Sequence, residues 1–314
     1  MGFEPKIDLK MSTTKRIAKN FSWMTISQLM SRGIDFVVLL YIARVLGSTA
    51  FGMYNFALAF LAYLLIIVDF GLSVLGTKEI AQDTSSTAKI ALNITVMRSL
   101  LALGVYFIAM LVVAFSTLSP ELKFFFLLVF LLVFQRAIEP AWIFQGLEKI
   151  EYVALIKIGS SLLSLILVVV LVRSSTDLLK LPIVNIISFG LISLVFLLGA
   201  FKFLGRIRRG HLSPGLWQDY FYQALPLGAA AVFIQIYVNL DSIMLGFMRS
   251  MESVGAYNAA YKLFFGVIFI LAFWQQVVFP EASRRLTADK NNAKEFLFDY
   301  VKIAFMFGLP ICFL

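Results

Sequence analysis

Charged and amide side chains interrupt an apolar segment near the start of this chain. Gln28, Arg32 and Asp35 are spaced by four and three residues, so an α-helix would place all three on one face. An ionised side chain at the centre of a bilayer costs at least about 2.5–3.5 kcal/mol, and such residues normally face protein or water. An arginine beside an acid at this depth can bind an anionic ligand, exchange a proton or a cation, or form a static ion pair.

A similar spacing occurs in a later apolar segment. Arg136 and Glu139 are three residues apart and next to Pro140, whose ring and missing N–H loosen a helix. A bend beside two charges is typical of a helix that moves, although Glu139 can also lie at the membrane interface. The other candidate residues for a substrate pathway are Arg98, Asp241 and Lys262.

These other candidates have competing interpretations. Arg98 and Lys262 have side chains long enough to extend to a membrane surface, and Asp241 lies near enough to the end of its segment to be hydrated there. Asp35 and Asp241 are the acids that can exchange a proton or a sodium ion. Asp69 is followed closely by a glycine and is interpreted as a residue that shapes a turn.

The composition indicates an integral membrane protein. Of the 314 residues, 61% are hydrophobic and only 14% are charged, compared with about a quarter in a typical soluble domain. A single cysteine, Cys312, excludes an intrachain disulfide, and a single histidine, His211, excludes a histidine-clustered metal site. The net charge of +9 suits helix orientation and contact with anionic lipids rather than nucleic acid. We therefore expect no metal or organic cofactor.

Apolar windows long enough to cross a bilayer as helices recur along the chain. The segments between them are short, which predicts antiparallel neighbours in an all-α, polytopic membrane bundle. The nine predicted spans are 21–45, 54–75, 91–114, 123–144, 153–172, 181–201, 222–248, 254–279 and 297–314.

The distribution of lysine and arginine between alternate loops predicts the orientation of these spans. The outer loops contain only Lys123, Arg173, Lys180 and Arg249. The cytoplasmic segments contain Lys6, Lys10, Lys15, Arg16, Lys19, Lys78, Lys89, Lys149, Lys202, Arg206, Arg208, Arg209, Arg284, Arg285, Lys290 and Lys294. We predict a multi-pass protein of the cytoplasmic (inner) membrane with its N-terminus in the cytoplasm.

Two parts of the sequence, residues 43–60 and 242–265, resemble each other. Both join two predicted spans through Leu-Gly, a short linker and Gly-x-Tyr-Asn. The matched pairs are Leu46 with Leu245, Gly47 with Gly246, Gly52 with Gly255, Tyr54 with Tyr257 and Asn55 with Asn258. Because the copies are six spans apart, they have the same orientation, which is typical of parallel repeats with a substrate path between the halves. A chance match of a short motif is the alternative.

Several segments together resemble a known family. They are "IARVLGSTAFGMYNFALAF" at 42–60, "DFGLSVLGTKEIAQ" at 69–82, "WIFQGLEKIEYVALIKI" at 142–158, and "NLDSIMLG" followed by "VGAYNAAYK" in the second half. The pattern resembles the Wzx-type polysaccharide-repeat flippases of the multidrug/oligosaccharidyl-lipid/polysaccharide exporter superfamily. The resemblance covers essentially the whole chain.

This resemblance implies a MATE-like pair of six-helix bundles that acts as a secondary transporter and not as an enzyme. The implied substrate is an undecaprenyl-pyrophosphate-linked oligosaccharide, moved from the cytoplasmic to the periplasmic leaflet by alternating access in polysaccharide or O-antigen biosynthesis. Arg32 would then meet the pyrophosphate or an acidic sugar. The implied partners are this lipid-linked oligosaccharide, membrane lipids and polysaccharide polymerase machinery, with proton or sodium coupling as the energy source.

The chain contains a full first bundle but only part of a second by this comparison. We therefore expect a C-terminally truncated sequence, either a fragment of a longer protein or an inactive remnant. The expected divisions are a cytoplasmic N-terminal segment (1–20), a six-helix bundle (21–205), a basic linker with an interfacial segment (206–221) and the first three helices of a second bundle (222–314).

Two other functions remain open from the sequence. A drug or cation exporter of the same superfamily would need a pathway dominated by acids, whereas the deep basic residues here outnumber the deep acids Asp35, Glu139 and Asp241. A membrane-bound saccharide polymerase or ligase would need a substantial outer loop with catalytic residues, and the predicted outer loops are short. No phosphate-binding glycine loop is present, so the chain does not encode ATP-driven transport.

Overall fold

The computed structural model describes residues 13–204, 209–264 and 302, and the regular secondary structure of these residues is entirely helical. The prediction of an all-α membrane fold is confirmed. The helices are α1 (Thr13–Asp69), α2 (Leu72–Gln82), α3 (Thr87–Phe115), α4 (Pro120–Phe130), α5 (Leu132–Ile138), α6 (Ala141–Gly146), α7 (Ile150–Leu171), α8 (Lys180–Asn185), α9 (Leu191–Leu204), α10 (Trp217–Met248) and α11 (251–264). A short π-helical segment, Ile186–Gly190, connects α8 to α9.

Within the described residues, six helical stretches are long and apolar enough to cross a membrane. They are Lys19–Gln82, Thr84–Phe115, Pro120–Gly146, Ile150–Leu171, Ser175–Ala200 and Pro214–Met248. The first has 64 residues. A helix of that length is roughly three times as long as one crossing of the hydrocarbon core requires.

A break at Gly47 divides this long stretch at the junction expected between the first two spans. Gly47 has φ 73 and ψ 173, a conformation that only glycine adopts readily, so α1 changes direction there. A second reversal follows at Phe70 and Gly71, both with positive φ, and it separates α1 from α2. Of the last two predicted spans, 254–279 is described only as far as residue 264, and 297–314 lies outside the described residues apart from Lys302.

A buried apolar cluster is formed mainly by α2, α3, α6 and α7, with further residues from α9 and α10. Trp142 and Phe144 of α6 are almost fully buried in it, together with Ile80 of α2 and Ile94 of α3. Gly76 of α2 permits this packing, because a Cβ there would lie 2.3 Å from the Trp142 ring. The cluster fixes the short helix α6 against α2.

Helix α1 packs along α7. Buried serines lie on both helices, and such small residues allow two helices to approach closely inside a membrane. The buried serines are Ser27 and Ser31 of α1 and Ser160, Ser161 and Ser164 of α7.

The linker before α10 is attached to α3 through one side chain. Asn93 is fully buried, and its amide donates to the His211 carbonyl oxygen at 2.7 Å. Its Oδ1 atom accepts from the Ser213 backbone N–H and from Trp217 Nε1, both at 2.9 Å. We call this set of contacts the Asn93 latch. The linker is therefore held against the first bundle at its end.

The last residues of the predicted linker and interfacial segment, 217–221, belong to α10. This helix begins at Trp217 and continues without interruption to Met248. Pro226 lies inside it, and its ring and missing N–H loosen the helix there without ending it.

Residues 1–255 form one compact unit, which contains α1 to α10 and the start of α11. The described part of the second unit, 256–314, is the remainder of α11 together with Lys302. The division between two bundles near residues 205 and 206 stays a prediction.

Candidate functional site

Four charged residues that are distant in sequence meet where α1 ends, and we call them the four-charge network: Asp69, Arg98, Arg136 and Glu139. Arg98 Nε lies 3.2 Å from Asp69 Oδ1, and Arg136 Nη2 lies 3.4 Å from Asp69 Oδ2. Arg136 Nη1 also forms an ion pair with Glu139 Oε2, which confirms the pairing expected from their spacing. Two positive and two negative side chains leave the network without net charge.

Pro140 explains why the network forms at this place. A helical carbonyl accepts a hydrogen bond from the N–H four residues later, and for Arg136 that residue is Pro140, which has no N–H. The Arg98 guanidinium donates to the Arg136 carbonyl oxygen instead, and its Nη1 donates to the Glu139 carbonyl oxygen at 3.4 Å. Glu139 has extended dihedral angles (φ −60, ψ 118) and separates α5 from α6. A buried cation thus satisfies the backbone that the proline leaves unpaired.

Arg98 is the most enclosed member of this network. Its side chain has no exposed surface, whereas 37% of the Arg136 side chain is accessible. In this conformation Arg98 does not line an open pathway, contrary to the expectation from the sequence, because protein surrounds it on all sides. A buried guanidinium is tolerated when it is paired and hydrogen-bonded, and Asp69 and two carbonyl oxygens supply these contacts here. Arg136 is the arginine of the network that a ligand can reach.

Asp69 has a larger role than the sequence indicated. It was expected to shape a turn with Gly71, but its carboxylate pairs with two arginines and accepts from the Ser73 hydroxyl at 2.7 Å. The sequence feature that could have indicated this role is the position of an acidic residue, Asp69, at the end of an apolar segment. That signal does not indicate which later helices would place their arginines beside it.

A second charged region lies on the first part of α1, and we call it the α1 stripe: Gln28, Arg32 and Asp35. Gln28 is half-buried, while Arg32 and Asp35 are exposed. The Ser161 hydroxyl of α7 hydrogen-bonds with the Asp35 carboxylate, and Arg32 is near enough to interact with it electrostatically. The stripe therefore lies at the edge of the α1–α7 packing. The interpretation of Arg32 and Asp35 as pathway-lining residues, and their contact with a substrate, stay predictions.

The two remaining candidates lie on later helices. Asp241 of α10 is half-buried, its Oδ1 accepts from the Ser242 backbone N–H at 2.7 Å, and its charge acts on the Tyr63 hydroxyl of α1. Tyr237, one turn earlier, is 85% exposed. Lys262 is half-buried on α11, in the second compact unit.

The arrangement of helices is that of a transporter fold of the MATE type. Solved structures similar to this chain include an outward-facing multidrug resistance MATE family transporter of the MOP superfamily, with a TM-score of 0.58 and 14% identity. The match covers 95% of this chain and 70% of that one. A MATE structure in complex with Br-NRF also has a TM-score of 0.58, with 16% identity over 95% of this chain and 75% of that one. At these identities the likeness shows the fold.

The sequence of this chain belongs to the family described as "Polysaccharide biosynthesis protein", which matches residues 17–285. Two relatives carry the name "Putative O-antigen transporter". The one from Escherichia coli (strain K12) is 24% identical over 89% of this chain and 68% of its own length. The one from Shigella dysenteriae is 28% identical over 79% of this chain and 63% of its own length. The chain thus spans about two thirds of the length of these relatives, and its resemblance to the exporter superfamily is confirmed.

Proposed function

We propose that this protein is a flippase that moves a lipid-linked oligosaccharide across the cytoplasmic membrane for polysaccharide or O-antigen biosynthesis. Its family, the names of its relatives and its MATE-type fold all support a transporter rather than an enzyme. The substrate of this proposal is an oligosaccharide on an undecaprenyl pyrophosphate carrier. It moves from the cytoplasmic to the periplasmic leaflet as the two halves of the fold open alternately to each side.

The observation that carries this proposal is the exposure of Arg32 in the middle of an apolar helix. An exposed arginine at that depth is costly against lipid unless polar groups compensate its charge, and a polar space or ligand would do so together with Asp35. A pyrophosphate is such a ligand, because guanidinium groups bind its oxygens with charge-assisted hydrogen bonds. In this proposal Arg136, partly accessible at the other charged region, offers a second contact for an anionic group.

We further propose that a proton or sodium gradient drives the movement, with Asp35 and Asp241 as the acids involved. Asp35 has the Ser161 hydroxyl and Arg32 as polar neighbours, and its carboxylate can alternate between Arg32 and a bound cation. Asp241 lies against α1 near Tyr63. This role is also compatible with a drug or cation exporter, whose substrates would compete for the same acids.

The proposed orientation has the N-terminus in the cytoplasm, because the basic residues are concentrated in the segments on that side. The saccharide would be released on the outer face, where polymerase machinery can use it. Basic residues on the cytoplasmic side also favour contact with anionic lipid headgroups.

A deletion strain tests this function. Lipid-linked oligosaccharide should accumulate on the cytoplasmic face, where it is protected from an enzyme or lectin added to intact spheroplasts. Accumulation on the periplasmic face would instead indicate a polymerase or ligase. Unchanged saccharide with a new sensitivity to cationic drugs would indicate a drug exporter.

A further inference from the structure

Gly52 and Gly255 occupy equivalent positions in the internal repeat, and they contact each other. A Cβ atom on Gly52 would lie 1.8 Å from the Met251 carbonyl oxygen and 2.7 Å from the Gly255 nitrogen. A Cβ atom on Gly255 would lie 2.0 Å from the Ser48 carbonyl oxygen and 3.1 Å from the Gly52 nitrogen. Any side chain at either position would overlap the opposite backbone.

The contact is reciprocal. Met251 precedes Gly255 by four residues, and Ser48 precedes Gly52 by four residues. Each glycine therefore faces the carbonyl one helical turn before the other glycine, which is the pattern of an isologous contact about a two-fold axis. Backbones that approach this closely are typical of helix packing inside membranes. This reciprocity favours the interpretation of the two segments as an internal repeat over a chance match of the motif.

Neighbouring residues extend the contact along α10. The Phe56 ring occupies the space beside Gly246, where a Cβ atom would lie 2.2 Å from it. The same ring lies 5.8 Å from that of Phe247, at 78°. Phe56 is 8% exposed and Val254 is fully buried. The contact between the two junctions therefore continues onto the last part of α10, where Phe247 is 75% exposed.

We propose that the pair Gly52 and Gly255 is the outer gate of the transport path. The proposal rests on the proposed function and on the predicted orientation, which places both repeat junctions on the outer side. The path of a parallel-repeat transporter runs between its two halves, and the predicted division of the chain puts each glycine in a different half. The glycine contact therefore holds the halves together at the outer surface, and it has to separate before a substrate leaves on that side.

Thiol labelling tests whether the contact is a closed gate. In a Cys312→Ser background, Val254→Cys should react poorly with a membrane-impermeant maleimide added to intact spheroplasts. Adding Gly52→Ala or Gly255→Ala should raise the labelling several-fold, because the new methyl separates the two backbones. Gly104→Ala is the matched control, since nothing lies within 4 Å of a Cβ at that helical position. Strong labelling before any glycine is changed, or no increase afterwards, would overturn the proposal.

A cross-link tests the same contact without disturbing its packing. Ser48→Cys and Met251→Cys place thiols at equivalent positions beside the pair. A short bis-methanethiosulfonate reagent should join them through two disulfides, each formed with release of a sulfinate and each cleavable by a reductant. The cross-linked protein should lose saccharide transport and regain it after reduction. Each single-cysteine variant, treated in the same way, should keep its transport. Full transport by the cross-linked protein would show that this contact does not open.

The two measurements separate this proposal from the proposed function. Labelling reports the opening of the contact whether or not a saccharide is moved, whereas the effect of the cross-link is measured through transport. If labelling rises as expected but no lipid-linked saccharide is transported by any variant, the gate stands and the substrate assignment fails.

Discussion

The α1 stripe and the four-charge network contain the same kinds of side chain but differ in how these are held. In the network, Arg98 has no exposed surface, and its partners are a carboxylate and two carbonyl oxygens. In the stripe, Arg32 and Asp35 are exposed, with Ser161 as a neutral partner of the acid. The network connects three helices, whereas the stripe lies at the edge of one helix pair. Burial therefore distinguishes Arg98, which is held as part of the architecture, from Arg32, for which ligand binding stays a prediction.

The largest effect should follow from Arg98→Ala. Removal of the guanidinium takes away one of the two positive charges beside the Asp69 carboxylate and leaves the Arg136 carbonyl oxygen without its donor. Loss of one partner of a buried ion pair typically lowers the free energy of unfolding by about 3–5 kcal/mol. We expect little folded protein in the membrane and a clear loss of thermal stability in detergent. Lys78→Ala is the control, because that side chain is 58% exposed. Normal amounts of Arg98→Ala protein with an unchanged melting temperature would refute the architectural role.

The next effect in size should be the loss of transport in Arg32→Ala. The protein should reach the membrane in normal amounts, because an exposed side chain carries little of the packing, while the anionic group loses its contact. Arg32→Lys should keep part of the activity, since it retains the charge but not the paired N–H groups. Transport is measured as oligosaccharide that becomes accessible on the outer face. Normal transport by Arg32→Ala would contradict the proposed contact between Arg32 and the anionic group. Loss of the protein from the membrane would instead indicate that the α1 stripe stabilises the fold.

A partial effect is expected for Asp35→Asn. If Asp35 couples transport to a cation, this variant should lose the stimulation that an imposed proton or sodium gradient gives, while movement down a substrate gradient continues. Ser161→Ala should show the same change to a smaller degree, because it removes only the hydrogen bond. If Asp35 merely holds Arg32, both kinds of movement should fall together in Asp35→Asn. Measurement in vesicles with and without the gradient distinguishes these results.

The smallest effect should come from Gly47→Ala, at the break that separates the stripe from the Asp69 end of α1. Gly47 has φ 73 and ψ 173, a combination that is nearly exclusive to glycine and costs another residue about 1–3 kcal/mol. We expect a modest decrease in melting temperature with transport largely retained. Gly104→Ala, at a helical position with open space, should not lower the melting temperature. Equal stability of the two variants would show that α1 can straighten at Gly47 without a penalty.

Local spacing predicted some parts of the molecule well. The pairing of Arg136 with Glu139 and the interruption at Pro140 depend on residues within one turn of each other, so the sequence contains the needed information. The junction at Gly47 was likewise indicated by its position between two apolar windows.

Long-range partners were harder to predict. Arg98 and Asp69 are separated by 29 positions along the chain, and their pairing depends on which faces α1 and α3 turn towards each other. Hydropathy gives the length of a membrane helix but not its rotation, so Arg98 was expected to face a pathway. The start of α10 was also misplaced, because aromatic residues suit a membrane interface and the first turn of a spanning helix equally well.

The Asn93 latch has a mechanical consequence for the second half of the fold. Asn93 forms hydrogen bonds with the His211 carbonyl oxygen, the Ser213 N–H and the Trp217 indole. These bonds fix the position of the first turn of α10 relative to α3. Since the start of α10 is fixed, the helix cannot rotate as a rigid body about the preceding loop. Movement of its later part therefore requires the helix to bend. Pro226 has no N–H to continue the backbone hydrogen bonds of α10, so the helix can bend there. We therefore expect Pro226, rather than the preceding loop, to be the hinge about which the outer end of α10 moves.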